Sequence, residues 1–212
     1  MDTSEFIRML AADKRRLAMP LSAMWWAAAS LAIAIAAVIF FAVLGLRSDI
    51  ATAVESYRFL FKFLVTVTLA VSAFFCARAL SRPDGSWRKA FLCLAAAPAL
   101  IAMAVVAELL TLPPDAWSAT LIGTNSIACL TYIPLVGIGP LAIFLWILHY
   151  GAPTRPALAG AVAGLLAGAI AATFYAAHCI DDSALFVATW YTIAVAGLAL
   201  AGAAGAYRIA RW

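Results

Sequence analysis

The chain has 212 residues, 67% of them hydrophobic and 11% charged, with a formal net charge of +4 and a mean hydropathy of +1.02. Soluble domains carry roughly 25% charged residues, so this composition excludes a soluble globular protein and sets the expectation of an all-α, polytopic membrane protein. The positive charge reads as loop asymmetry rather than nucleic-acid affinity, because the basic residues sit beside apolar runs.

The chain opens with MDTSEFIRMLAADKRRLAMP, residues 1–20, the only extended segment outside the apolar runs. Asp2 followed by Glu5 fits an N-cap and the N3 carboxylate of a capping box, although Ser or Thr is the preferred cap. Phe6, Ile7, Leu10 and Leu17 make an apolar stripe at helical spacing, and Glu5, Arg8, Lys14, Arg15 and Arg16 cover the rest. Such a helix either lies on a lipid surface, held by its basic residues, or docks its stripe into a groove on a soluble partner. The pattern alone leaves both open.

Residues 21–212 read as a membrane domain. Crossing ~30 Å of hydrocarbon takes about 20 apolar helical residues, and six segments meet that length: 21–46, 60–80, 90–112, 127–148, 157–177 and 185–207. The first exceeds the ~7–15 residue core of a signal peptide and is expected to stay as a helix. Turn signals separate the spans, among them Ser81-Arg82-Pro83-Asp84-Gly85 and Leu112-Pro113-Pro114-Asp115. In the fourth span Pro134, Gly137, Gly139 and Pro140 predict a kinked, weakly packed helix. In the fifth, Gly160, Gly164 and Gly168 form a ridge of small residues where another backbone can come close.

Lys and Arg fix the expected orientation. Eleven of them fall in the amino-terminal tail, the second and fourth connections with their flanks, and the carboxyl end; only Arg47, Arg58 and Lys62 lie opposite. Both termini are therefore expected in the cytoplasm, with the third and fifth connections outside. Lys62 and Glu108, near outer helix ends, read as ordinary snorkelling residues. Mid-membrane positions carry no ionisable group, which disfavours a transporter.

The stretch YAAHCIDD, residues 175–182, concentrates a thiol, an imidazole and two carboxylates at the outer end of the fifth span. Cys129 opens the fourth span at the same depth, and spans joined by a short connection are antiparallel neighbours, so the two thiols can meet in a compartment where disulfides persist. Three readings remain open: a metal site, a static disulfide and a redox-responsive pair. The metal reading has suitable donors in Cys129, His178, Cys179, Asp181 and Asp182 but poor spacing, with no Cys-x-x-Cys or His-x-x-x-His pair. Asp181 and Asp182 also suit a loop turn and a cap for the sixth span. An imidazolium at His178 would raise the thiolate fraction of Cys179, which favours the responsive reading. Cys76 and Cys93, at inner helix ends, read as small packing groups. A bis-histidine haem fails because His149 and His178 fall at opposite surfaces, and a membrane thiol oxidoreductase would be expected to show Cys-x-x-Cys.

EFIRMLAAD near the start, HYGAPTRPALAGAVAGLLAG entering the fifth span, HCIDDSALFVATWY after it and the terminal GAAGAYRIARW occur in an order that resembles the NrsF-like integral-membrane anti-sigma factors. These are negative regulators of bacterial extracytoplasmic-function sigma factors. The resemblance implies a multi-pass protein of the bacterial inner membrane whose cytoplasmic face, chiefly the amino-terminal segment, holds a sigma factor. Phe6, Ile7, Leu10 and Asp13 are the implied contacts. It further implies an outward cysteine pair that matters for the stress response, matching Cys129 and Cys179. The expectation drawn from the residues is that an oxidant or a thiol-reactive metal changes the state of this pair, with His178 beside it, and releases the partner. No enzyme activity, cofactor, small-molecule substrate or direct nucleic-acid contact is expected. The alternative is a small membrane transporter or channel subunit.

Overall fold

The computed structural model describes residues 2–12, 19–82 and 87–209. Among them the regular structure is helical throughout, and six helical stretches are long and apolar enough to cross a membrane: Leu21–Val43, Tyr57–Leu80, Lys89–Thr111, Pro114–Tyr150, Pro156–Ala176 and Ala184–Ile209. Backbone polar groups have no water to bond in hydrocarbon, so helices that pair them internally are the expected solution. A tail helix, Thr3–Ala12, precedes the spans; the Glu5 N–H bonds the Asp2 carbonyl, and Asp2 takes its side-chain hydrogen bond from Ser4 Oγ at 2.6 Å. Ile7 of the expected stripe is exposed. Asp13 and the basic cluster 14–16 lie outside the described residues.

The fifth span is the axis of the bundle. Two thirds of its most apolar stretch is buried, and it packs against the second, fourth and sixth spans. The glycine ridge is the cause. A Cβ on Gly160 would strike the Gly202 carbonyl and Ala206, one on Gly164 the backbone of Leu198 and Ala199, and one on Gly168 would crowd Val195 at 3.0 Å. The fifth and sixth helices thus touch backbone to backbone, a contact available only to residues without side chains. The first span buries one stripe at helical spacing, Trp25, Ala28, Ala32, Ala36 and Phe40, and shows lipid the rest.

One expectation about an individual helix changes: the fourth span is not weakly packed. The fourth runs unbroken over Ser126–Tyr150 through both prolines and is well packed, burying Cys129, Ile133, Val136, Pro140 and Phe144 against the first, fifth and sixth spans. Gly137 and Gly139 explain this, because they let Leu198 and Ile35 close in where the prolines remove backbone N–H groups. The weakly held element is instead the third span, with only 11% of its apolar window buried. It also breaks at Leu94–Ala95 into Trp87–Cys93 and Ala96–Thr111, just where Pro98 has no N–H to give the Leu94 carbonyl. Cavities of about 350, 260 and 700 Å³ lie along this span.

Hydrogen bonds tie the connections into two opposite ends. At one, Trp25 Nε1 donates to Ser81 Oγ at 3.1 Å, the Ala152 N–H to the Ser81 carbonyl at 3.2 Å, and His149 Nδ1 contacts the Ile209 carbonyl at 3.1 Å. At the other, the first, third and fifth connections meet around the two cysteines.

Candidate functional site

Cys129 sits in the first turn of the fourth-span helix, its N–H bonded to the Asn125 carbonyl at 2.8 Å. Cys179 follows the fifth-span helix, its N–H still bonded to the Tyr175 carbonyl at 3.0 Å. The structure brings the two sulfurs into hydrogen-bond contact as free thiols, both sealed from solvent. Tyr175 and Tyr191 flank them, and both phenol hydroxyls are buried beside the sulfurs. Tyr191 lies on a π-turn, Val187–Tyr191, that interrupts the sixth span. Such bulges recur at functional sites.

A charged cap covers the pair. Lys62 is 1% exposed, and its ammonium lies 2.9 Å from the Cys179 carbonyl and 2.5 Å from Asp182 Oδ1. Arg47 reaches the same carbonyl at 3.3 Å and Asp182 at 3.1 Å, while Nε and Nη2 hold Asp49 in a fork at 2.6 and 2.7 Å. The aromatic face of Phe59 supports both cations, 5.4 Å from Lys62 and 5.6 Å from Arg47. The Asp49 and Asp182 carboxylates hold the Arg47 guanidinium above its ordinary pKa, and the Arg47 hydrogen bonds hold Asp49 below its own. The Cys179 thiol is drawn below the ordinary thiol value, first by the hydrogen bond from Cys129 and then by the Lys62 charge, against the opposing effect of burial.

Asp181 clamps the third connection. One carboxylate oxygen accepts the backbone N–H of Thr124 at 3.1 Å, that of Asn125 at 2.9 Å and Asn125 Nδ2 at 2.9 Å. Gly123, with φ +56°, makes room, since a Cβ there would stand 2.5 Å from the Phe186 ring and 3.0 Å from the Asp181 carboxyl carbon. Glu108 closes the side: it accepts Ser183 Oγ at 2.8 Å and the Leu185 N–H at 2.9 Å, and pairs with Arg58 at 3.2 Å. These carboxylates satisfy helix-start donors that would otherwise be orphaned.

His178 sits beside Cys179 in sequence, but Nδ1 points to the Gly45 carbonyl at 3.0 Å. A carbonyl only accepts, so this nitrogen carries a proton spent on the first connection. The cation coupled to the thiol is Lys62. Snorkelling is therefore the wrong description of Lys62 and of Glu108, which is 6% exposed; both turn inward to partners far along the chain. Of the other thiols, Cys76 is buried but Cys93 is exposed, so the packing role holds for the first alone. Among the described residues no group of three or more His, Cys, Asp and Glu is arranged to hold a metal ion. The side chains of Phe6 and Leu10 lie outside what is described.

Residues 10–212 match the family model NrsF, Negative regulator of sigma F. The chain is 34% identical over 168 residues to the anti-sigma-F factor NrsF of Caulobacter vibrioides, covering 78% of each chain. It is 33% identical over 216 aligned positions to the probable anti-sigma-F factor NrsF of Azospira oryzae, covering all of both. No solved structure matches the chain. A family match spanning nearly the whole sequence, with relatives similar over the same length, places this six-span protein in the NrsF family of negative regulators of sigma F.

Proposed function

We propose that the protein is a membrane-bound anti-sigma factor that holds an extracytoplasmic-function sigma factor at the cytoplasmic face of the bacterial inner membrane. It releases this partner when the outward-facing Cys129–Cys179 pair changes state under an oxidant or a thiol-reactive metal. The observation that carries the reading is the contact between two buried thiols, one of them drawn toward its thiolate, in a protein of this family. The tail helix Thr3–Ala12 supplies the docking element, with Phe6, Ile7, Leu10 and Asp13 as its contacts.

The orientation follows from charge. The thiol end carries only Arg47, Arg58 and Lys62, against eleven Lys and Arg in the tail, the second and fourth connections with their flanks, and the carboxyl end. The termini then belong in the cytoplasm and the thiols outside.

A route inward exists in the packing. The fourth-span helix carries Cys129 at one end and, near the other, Phe144 stacked on Trp25 of the first span, 5.9 Å between centroids. The first span follows the tail directly. A disulfide is typically worth ~2–4 kcal/mol, and a bias of ~1.4 kcal/mol changes affinity tenfold, so a fraction of the energy suffices if the two states bind the partner differently. The transporter reading gains nothing from the cavity of about 260 Å³ beside the third span, which is lined mainly by apolar side chains such as Leu69, Ile101 and Val195.

The test is a Cys129→Ser, Cys179→Ser double variant in cells carrying a sigma-dependent reporter. Loss of induction by oxidant and metal supports the sensor; wild-type induction removes it. Failure of the full-length protein to co-purify any sigma factor removes the anti-sigma reading for this chain.

A further inference from the structure

We propose that Lys62 decides which sulfur of the pair attacks: it holds the negative charge on Cys179, which becomes the nucleophile, and leaves the proton on Cys129. The proposal deepens the sensor reading and rests on it for its biological meaning, but its chemistry is separately measurable.

The geometry is asymmetric. Lys62 lies in the second span, its ammonium sealed from solvent and fixed 2.9 Å from the Cys179 carbonyl and 3.5 Å from that of Asp181. Its hydrogen bonds and its ion pair all go to the connection that carries Cys179, reaching the Cys179 and Asp181 carbonyls and the Asp182 carboxylate. A cation in such surroundings is weakly screened and acts strongly on neighbouring charge. The alternatives are occupied. Arg47 spends two of its nitrogens on Asp49 and reaches the Cys179 carbonyl with the third only at 3.3 Å, against 2.9 Å for Lys62, and His178 spends Nδ1 on Gly45. From the fifth and sixth spans, Tyr175 and Tyr191 present neutral hydroxyls to the sulfurs and no charge. Two carboxylates of the same connection oppose Lys62. Asp182 pairs with it directly, and Asp181, directed at Thr124 and Asn125, adds negative charge at longer range. Lys62 is thus a positioning residue with a built-in counterweight, and the two can be removed separately.

The probe is methyl methanethiosulfonate, small and uncharged. The Cys179 thiolate attacks its methylthio sulfur, a sulfur–sulfur bond forms, and methanesulfinate leaves with the electron pair. The reaction is followed site by site by mass spectrometry, across pH, on full-length protein in lipid nanodiscs with Cys76 and Cys93 replaced by Ser. Modification at Cys179 before Cys129 is expected. Lys62→Met, of similar length without charge, is expected to slow Cys179 at pH 7 by about tenfold, one pH unit of midpoint, whereas Lys62→Arg stays near wild type. Asp182→Asn, which frees Lys62 of its counterweight, is expected to speed Cys179 and move its midpoint down.

Opposite signs from the two variants mark electrostatic control, because a loosened structure would expose the thiol and speed both. Equal signs, no shift in Lys62→Met, or first modification at Cys129 overturns the proposal. If Lys62→Met does not fold, the Asp182→Asn arm decides, and failure to accelerate overturns it. A reporter that still responds without the two cysteines would remove the sensor and leave the Lys62 assignment standing; unchanged chemistry in the Lys62 variants would do the reverse.

Discussion

Asp181 accepts the Asn125 backbone N–H at 2.9 Å, so a residue two positions after Cys179 caps the helix that carries Cys129. The carboxylate joins the two cysteine-bearing elements and fixes the distance between their sulfurs. Asp181→Ala is expected to lower stability by about 1–3 kcal/mol, the cost of stranding part-buried donors. It should also slow disulfide formation by diamide, because the thiols lose register. Thermal unfolding in detergent and gel-based quantification of the disulfide check the two effects.

Glu108 serves the sixth span in the same way. Glu108→Ala leaves Ser183 Oγ, the Leu185 N–H and Arg58 without their acceptor and is expected to cost about 3 kcal/mol. Glu108→Gln keeps an acceptor oxygen for the first two and should lose less. Equal melting temperatures for the two variants would show that the charge, not the hydrogen bonds, is what matters.

Stability should rise with pH through Cys179. Its folded-state pKa is depressed, so its contribution is full above the unfolded thiol value of ~8.5 and fades as pH falls through the lower folded value. Wild type is therefore expected to gain stability over Cys179→Ser between pH 6 and pH 9. Parallel curves for the two proteins would contradict this.

Backbone contact between the fifth and sixth spans makes their glycines unequal. Gly164→Leu drives a side chain into the Leu198 backbone and is expected to cost at least the ~1–3 kcal/mol of ordinary overpacking. A Cβ on Gly197 would meet nothing within 4 Å, so Gly197→Leu should be close to neutral. Melting temperatures of the pair measure how much the ridge contributes.

At the tail, Ile7 is exposed on the short helix. Ile7→Glu is expected to reduce sigma-factor co-purification at least tenfold without changing the melting temperature of the bundle. Retained binding would move the docking site elsewhere.

The spans were readable because hydropathy over about 20 residues is a strong, local signal, and the fifth-span glycines because their spacing marks one helix face. The approach of Cys129 to Cys179 was readable from shared depth on neighbouring helices. The charged cap was not. Lys62, Arg47 and Glu108 each find partners across the bundle, so nothing adjacent in sequence separates a buried, paired cation from a snorkelling one. The bond from the His178 ring to the Gly45 carbonyl was equally hidden, because adjacency to Cys179 says nothing of a partner on the first connection. The fourth span misled because its prolines argue for weakness, while the compensating contacts of Gly137 and Gly139 come from other helices.

The thinly attached third span has a further consequence. With hollows along its length and most of its surface turned outward, its neighbours in the cell are largely acyl tails. The surrounding lipid completes the fold there, and solubilisation replaces more of that helix's natural company than of any other.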